Sequence, residues 1–260
     1  MEQILELMRV LRKEGPIILT IMNLCVSCSS NSKSSAQNGF SLLELAMVLV
    51  ILGIIGSLSL PLMTAQMTRT AIIKTRTHQD YVLSAIAAYV EKNKHFPCPA
   101  DPQVVGSTYG LSQLHCRSSK AKGILPFKTL GISEAYANDG FKRLMTYAVE
   151  PELAKKDTVL QNEEGGYLTV NKEEGGTVIA PPQTGEQNPN YVAFVLISHG
   201  ESGVGAFVKG QVGKILGNVC SLHKRENYDD NFVFVESSQT DDILRWESRD
   251  QFLKHYVRLR

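Results

Sequence analysis

The chain has 260 residues and a mass of 28.7 kDa, is 43% apolar and 20% charged, and sets 27 basic against 26 acidic side chains for a net charge of +1. That balance excludes a disordered chain and a broadly cationic nucleic-acid binder, and five cysteines are too few for a disulfide-built mini-scaffold. A single stretch is long and apolar enough to span a bilayer, which excludes a multi-pass protein; the length suits one sizeable domain with an appendage, or two small domains.

That stretch, Leu45–Met63, reads L-A-M-V-L-V-I-L-G-I-I-G-S-L-S-L-P-L-M, nineteen residues without a charge. As a helix it would extend roughly 28 Å, close to the thickness of a bilayer's hydrocarbon. A buried core helix keeps a polar stripe, and here only Ser57 and Ser59 are polar. The reading is membrane insertion. A secretory signal peptide competes, but no small-x-small cleavage site follows the run, and Met63-Thr64-Ala65 is a poor substitute. Charge gives the opposite hint about orientation. Lys33 precedes the run while Arg69, Lys74 and Arg76 follow it, so the positive-inside rule taken literally places the downstream part in the cytoplasm; Arg9, Arg12 and Lys13 narrow that imbalance.

The residues that lead into the run, Asn38-Gly39-Phe40-Ser41-Leu42-Leu43-Glu44-Leu45, place one glutamate four positions after a phenylalanine in an otherwise apolar helix. A carboxylate at the edge of a bilayer is costly and calls for a partner. The whole segment, about 38–63, resembles the amino terminus of type IV pilins and type II secretion pseudopilins. The resemblance implies cleavage by a prepilin peptidase between Gly39 and Phe40, and methylation of the new amino terminus at Phe40. It implies an assembly role for Glu44, pairing with a neighbouring subunit's amino terminus, and a helix kink at Pro61. Elementary chemistry agrees with each role. Glycine lets an extended backbone enter a protease site, an amine and a carboxylate neutralise each other at low dielectric, and proline removes one helical hydrogen bond. The leader of 39 residues is long for this family, and Met22 is an alternative start that leaves 18 residues and Lys33 near the cut. Leu24-Cys25 and Cys25-Val26-Ser27-Cys28 are weak matches to a lipobox and to a two-thiol metal hook.

Beyond Pro61, apolar residues recur at helical spacing at Ile72, Ile73, Val82, Leu83, Ile86, Tyr89 and Val90. The helix is expected to continue to about Lys94, where Pro97 and Pro99 stop it. Residues 95–123 read as loop and carry Cys98 and Cys116, which enclose 17 residues. A disulfide between them would stabilise by about 3 kcal/mol on the chain-entropy account and needs an oxidising compartment such as the periplasm. Cys220 is then either a buried free thiol or the true partner of one of the two.

Downstream, Arg143–Val149, Tyr167–Val170, Thr177–Ala180, Tyr191–Ser198 and Asn231–Glu236 read as strands between turn-rich pieces, and Arg245–Tyr256 as a short terminal helix. The fold class expected is α+β and pilin-like, a long amino-terminal helix with a membrane-spanning first half, packed on an antiparallel sheet. The organisation is a leader over 1–39, the helix over 40–94 with a transmembrane segment about 42–63, and a globular periplasmic α+β domain over 95–260. Pro97–Asp101 (P-C-P-A-D), Leu125–Ile132 (L-P-F-K-T-L-G-I) and Asp139–Phe141 (D-G-F) are similar to a subgroup of pilin-like proteins, which implies a minor subunit.

Other chemistry gives way to plainer readings. Ser198-His199-Gly200-Glu201-Ser202-Gly203 sits at a strand end, but it lacks a nucleophile elbow and reads as a turn. Gly200, Gly203 and Gly205 are in the wrong order for a dinucleotide loop, and His78, His95, His115, His199, His223 and His255 lack metal-ligand spacing. Asp229-Asp230 and Asp241-Asp242 suit solvated loops better than calcium, and Lys224-Arg225 with Arg258-Leu259-Arg260 are too sparse for nucleic acid. No catalytic residue, metal or cofactor is expected. The expected partners are the prepilin peptidase, other pilin or pseudopilin subunits, an inner-membrane assembly platform and the membrane. The expected location is the bacterial inner membrane, single-pass, with the carboxy-terminal domain in the periplasm. The alternative is an uncleaved single-pass membrane protein whose periplasmic domain binds a ligand, and a third reading is an anchored hydrolase using Ser198 or His199.

Overall fold

The computed structural model of the chain describes residues 41–116, 120–156, 159, 166–172, 178–180, 191–211, 213–215, 227–228, 232–236 and 240–257; within them the side chains of 54–62 and 178–180 are outside the description. The chain divides into two compact units, Met1–Ser57 and Leu58–Arg260. One helix, α1 (Leu42–Asn93), runs from the first into the second. Its end falls one residue before the expected one, because Lys94 turns to positive φ (60°) and Phe96 then bonds to Leu153. The helical assignment continues through Pro61 without a break.

In the second unit, Val82, Leu83, Ile86, Ala87 and Val90 of α1 are buried in the main core. Their spacing puts them on one helical face, while Ser84, Ala88 and Glu91 stay exposed. The sheet beneath has four antiparallel strands in the order β1-β2-β5-β7: β1 (Lys122–Ile124), β2 (Thr146–Val149), β5 (Val192–Ser198) and β7 (Ile243–Ser248). Every residue of β5 is buried. Phe194 and Leu196 belong to the core that includes α1, whereas Val195 and Ile197 join Leu168, Val170 and Phe234 in a second core on the other face. That second face is covered by a three-stranded sheet in the order β4-β3-β6, made of β3 (Thr169–Asn171), β4 (Val178–Ala180) and β6 (Val233–Val235). Two covered faces explain why V-A-F-V-L-I is a continuous apolar run rather than an alternating one.

Several expectations need correction. Residues 95–123 are not all loop, since β1 begins at Lys122 and Ala100 bridges to Ser112 and Ile124. The tail is a strand before it is a helix. Ile243–Ser248 pairs with β5, and α2 (Arg249–Tyr256) starts only where the Ser248 hydroxyl accepts the Gln251 amide as an N-cap. The sheet is not single, and in the smaller one β3 and β6 run parallel, a pairing that three-residue strands do not announce. Strand β2 starts at Thr146, because Arg143 is drawn into a turn closed on Asp139. Cys98 and Cys116 are bonded, with Cα atoms 5.5 Å apart. Cys220, Cys25 and Cys28 lie outside the described residues, as does the leader 1–39.

Candidate functional site

Gly39 and Phe40, the expected cleavage and methylation residues, lie outside the described residues; the helix begins directly after them. Ser41 caps it, its hydroxyl accepting the Leu43 amide at 3.4 Å and its carbonyl accepting the Leu45 amide. Glu44 occupies the first turn, where a negative charge faces the positive end of the helix dipole. It is exposed among exposed apolar neighbours, from Leu42 (86% exposed) through Val48 to Leu52 (58%). From Leu45 to Leu52 these residues cover every side of the helix, so these turns present no polar face to water. Among the described residues no helix is long and apolar enough to cross a membrane, so the expected span over 42–63 is not borne out in the structure; the side chains of 54–62, in the second half of that span and including Pro61, are outside the description.

Further along α1 the character changes. Thr75 and Gln79 are buried polar residues on a helix whose next two turns bury only apolar side chains. The Thr75 hydroxyl donates to the Ala71 carbonyl at 2.9 Å and accepts the Gly140 amide at 2.9 Å. The His78 ring meets the Asn138 carbonyl at 2.7 Å, and Gln79 donates to the Ile243 carbonyl at 2.9 Å. Gly140 is needed here for space, since a Cβ on it would sit 1.9 Å from the Ala71 carbonyl oxygen. A collar of hydrogen bonds thus holds α1 where the apolar packing begins. The D-G-F motif was legible in the sequence, but its seat against Thr75 was not; two polar residues one turn apart, at i and i+4, were the available sign.

The Ser198-His199 pair lies behind this collar. Ser198 donates to Asp139 at 2.6 Å, and Asp139 also accepts the amides of Phe141 and Arg143. Burial raises the Asp139 pKa and these hydrogen bonds counter the rise. His199 turns its Nε2 to the Thr146 hydroxyl at 2.8 Å and its Nδ1 towards Asp242 at 3.7 Å. Burial first, then the positive charges of Lys122 and Lys214, push its pKa down to about 3. Gly205 (φ 97°) closes over the ring, where a Cβ would come within 2.9 Å. Arg143 donates to the carbonyls of Gly200 and Glu201 at 2.5 Å each, and Ser202 bonds to Asp241. Serine and histidine therefore face different partners, and the segment is a tightly bonded turn. Among the described residues no group of three His, Cys, Asp or Glu is placed to hold a metal, and Asp242 bonds Asn227. Asp229 and Asp230 lie outside the described residues.

The decisive observation for the amino terminus is a comparison with known families. Residues 34–60 match the prokaryotic N-terminal methylation motif. The chain carries the amino-terminal signal of type IV pilin-like precursors. The matched segment contains Gly39, Phe40, Glu44 and the start of α1, so the pilin-like motif and the exposed apolar turns coincide. Neither curated proteins nor solved structures give a match. The resemblance to pilin-like precursors therefore rests on the amino-terminal segment.

Proposed function

We propose that this chain is a structural subunit of a type IV pilus or a type II secretion pseudopilus, present as a minor component. A prepilin peptidase cuts between Gly39 and Phe40 and methylates Phe40. The mature chain then polymerises through α1, and an inner-membrane platform drives its assembly with other pilin or pseudopilin subunits. The observation that carries this reading is the match to the methylation motif over 34–60, a segment that contains Gly39, Phe40 and Glu44 and runs into the start of α1. The apolar turns from Leu42 to Gly53 support it, because such a surface is unfavourable in water and asks for lipid before assembly and for neighbouring helices after it. On this reading Leu45–Met63 anchors the subunit in the inner membrane by its uncharged length, Pro61 lets the helix bend, and the globular unit sits in the periplasm. An oxidising periplasm suits the Cys98–Cys116 bond. The P-C-P-A-D, L-P-F-K-T-L-G-I and D-G-F segments support a minor rather than a major subunit. Ser198 bonds Asp139 and His199 Nε2 meets the Thr146 hydroxyl, so the two side chains are not aimed at each other, which supports a non-enzymatic role.

The test is the amino-terminal mass of the chain expressed with and without a prepilin peptidase. A product beginning at Phe40 and heavier by one methyl group is expected, lost on Gly39 substitution. An intact leader under conditions that process a control prepilin would overturn the reading and favour an uncleaved membrane protein.

A further inference from the structure

The Cys98–Cys116 bond has unlike surroundings at its two ends. Cys98 stands between Pro97 and Pro99, whose rings restrict the backbone, in a segment, 96–100, that is buried throughout. The Tyr147 hydroxyl donates to the Pro97 carbonyl at 3.2 Å, and the Pro99 carbonyl accepts the Gln113 amide at 3.1 Å. Cys116 instead follows Leu114 and His115, both exposed. The two cysteines are equally covered, at 6% exposed each, so the space beside them is what distinguishes them. A cavity of about 830 Å³ has Cys116 on its wall and not Cys98. Among the described residues that wall carries Lys155, Lys156, His95 and His115 against a single carboxylate, Glu152, which pairs with Lys155.

We propose that Cys116 is the sulfur through which this bond is made and opened, by exchange with a cysteine-containing peptide that enters the cavity, and that Cys98 is the resolving partner. Exchange proceeds by attack of a thiolate on a disulfide sulfur through a mixed disulfide, and basic side chains favour the thiolate. In the closing direction the Cys116 thiolate attacks a peptide disulfide, forms the mixed disulfide and releases one peptide sulfur as a thiolate. Cys98, having lost its proton to water, then attacks the Cys116 sulfur, and the second peptide sulfur leaves with the electron pair. The chain is thereby oxidised by two electrons and the peptide disulfide is reduced to two thiols. In the opening direction a peptide thiolate attacks the Cys116 sulfur, and Cys98 leaves as a thiolate that takes a proton from water. The restricted, buried backbone around Cys98 keeps it in place to close the bond again.

The experiment uses the full chain, with reduced glutathione as the peptide thiol. Free thiols are first capped with N-ethylmaleimide and the reagent is removed. Glutathione is then added at mildly alkaline pH, and timed samples are quenched with fresh N-ethylmaleimide for peptide mass mapping. Glutathione on Cys116 with maleimide on Cys98 is expected to exceed the opposite arrangement by about tenfold. Lys156 is exposed, so Lys156→Glu should melt like the parent, yet form that adduct about threefold more slowly at low salt and with a smaller difference at high salt. Equal labelling of the two cysteines, or glutathione mainly on Cys98, overturns the proposal. A rate unchanged in Lys156→Glu shows that the cavity is not the way in and overturns it too. Maleimide on both Cys98 and Cys116 before glutathione is added shows that no bond joins them, and the proposal falls with the bond.

Discussion

The two stretches of α1 answer different physical demands with one type of secondary structure. From Leu42 to Gly53 every side chain is exposed and nearly all are apolar, with Glu44 the only charge. From Thr75 to Val90 a single face is buried, first by hydrogen bonds to loop backbone and then by apolar packing on the four-stranded sheet. The first stretch contributes its energy only in contact with something else; the second contributes to the fold of its own chain. Identical substitutions should therefore read out in different assays.

The largest effect is expected in the second stretch. Ile86 is fully buried in the main core, so Ile86→Ala should cost about 2–5 kcal/mol in denaturant unfolding of the chain. Breaking the Cys98–Cys116 bond by Cys98→Ser should cost a similar 2–5 kcal/mol, with faster proteolysis inside the loop it closes. Gly140→Ala forces the D-G-F turn away from Ala71 and should cost about 1–3 kcal/mol, seen as faster amide exchange over 71–79 than over 82–90.

Acid should act next. His199 is neutral in the fold, with its pKa lowered from 6.5 to about 3, so below pH 6.5 the unfolded chain takes up a proton that the folded chain refuses. Stability is full above 6.5 and falls as pH drops towards 3, by at most about 1.4 kcal/mol per pH unit. The raised pKa values of Asp139 and Glu150 work the other way, since burial favours their protonated forms, and they flatten the acid slope once pH approaches the ordinary carboxylate range. Equilibrium unfolding between pH 7 and 4 checks this, and His199→Gln should remove the slope between 6.5 and 5. If that slope persists in the variant, another group is responsible.

The smallest effects on the isolated chain belong to the first stretch. Leu49→Ala and Glu44→Ala should each change its stability by less than about 0.5 kcal/mol, because both residues are exposed. Cleavage after Gly39 should also survive in both, while filament assembly in cells should fall sharply for Glu44→Ala. Equal loss of stability from Leu49→Ala and Ile86→Ala would erase the contrast between the two stretches.

What could be read without coordinates was local. The apolar run, its lone Glu44 and the Gly39-Phe40 junction form a signal in consecutive residues, and the match over 34–60 needs no tertiary context. The end of α1 near Lys94 followed from helical spacing and two prolines, for the same reason. Pairing of residues distant in the chain was decided only in three dimensions. Nothing local to Ile243–Ser248 says that β5 is its partner, so its strand was hidden behind a helical reading of the tail. The parallel match of β3 with β6 joins residues more than sixty positions apart, through pieces too short to show direction. Thr75, an unremarkable polar residue in a helix, became the seat of Gly140 only when the sheet brought the D-G-F turn against it. The long amino-terminal helix, the apolar run and the methylation motif could be read from consecutive residues, because these depend on near neighbours. The tertiary structure decided which polar groups are buried and what satisfies them, because a buried hydrogen bond is a property of two distant segments at once.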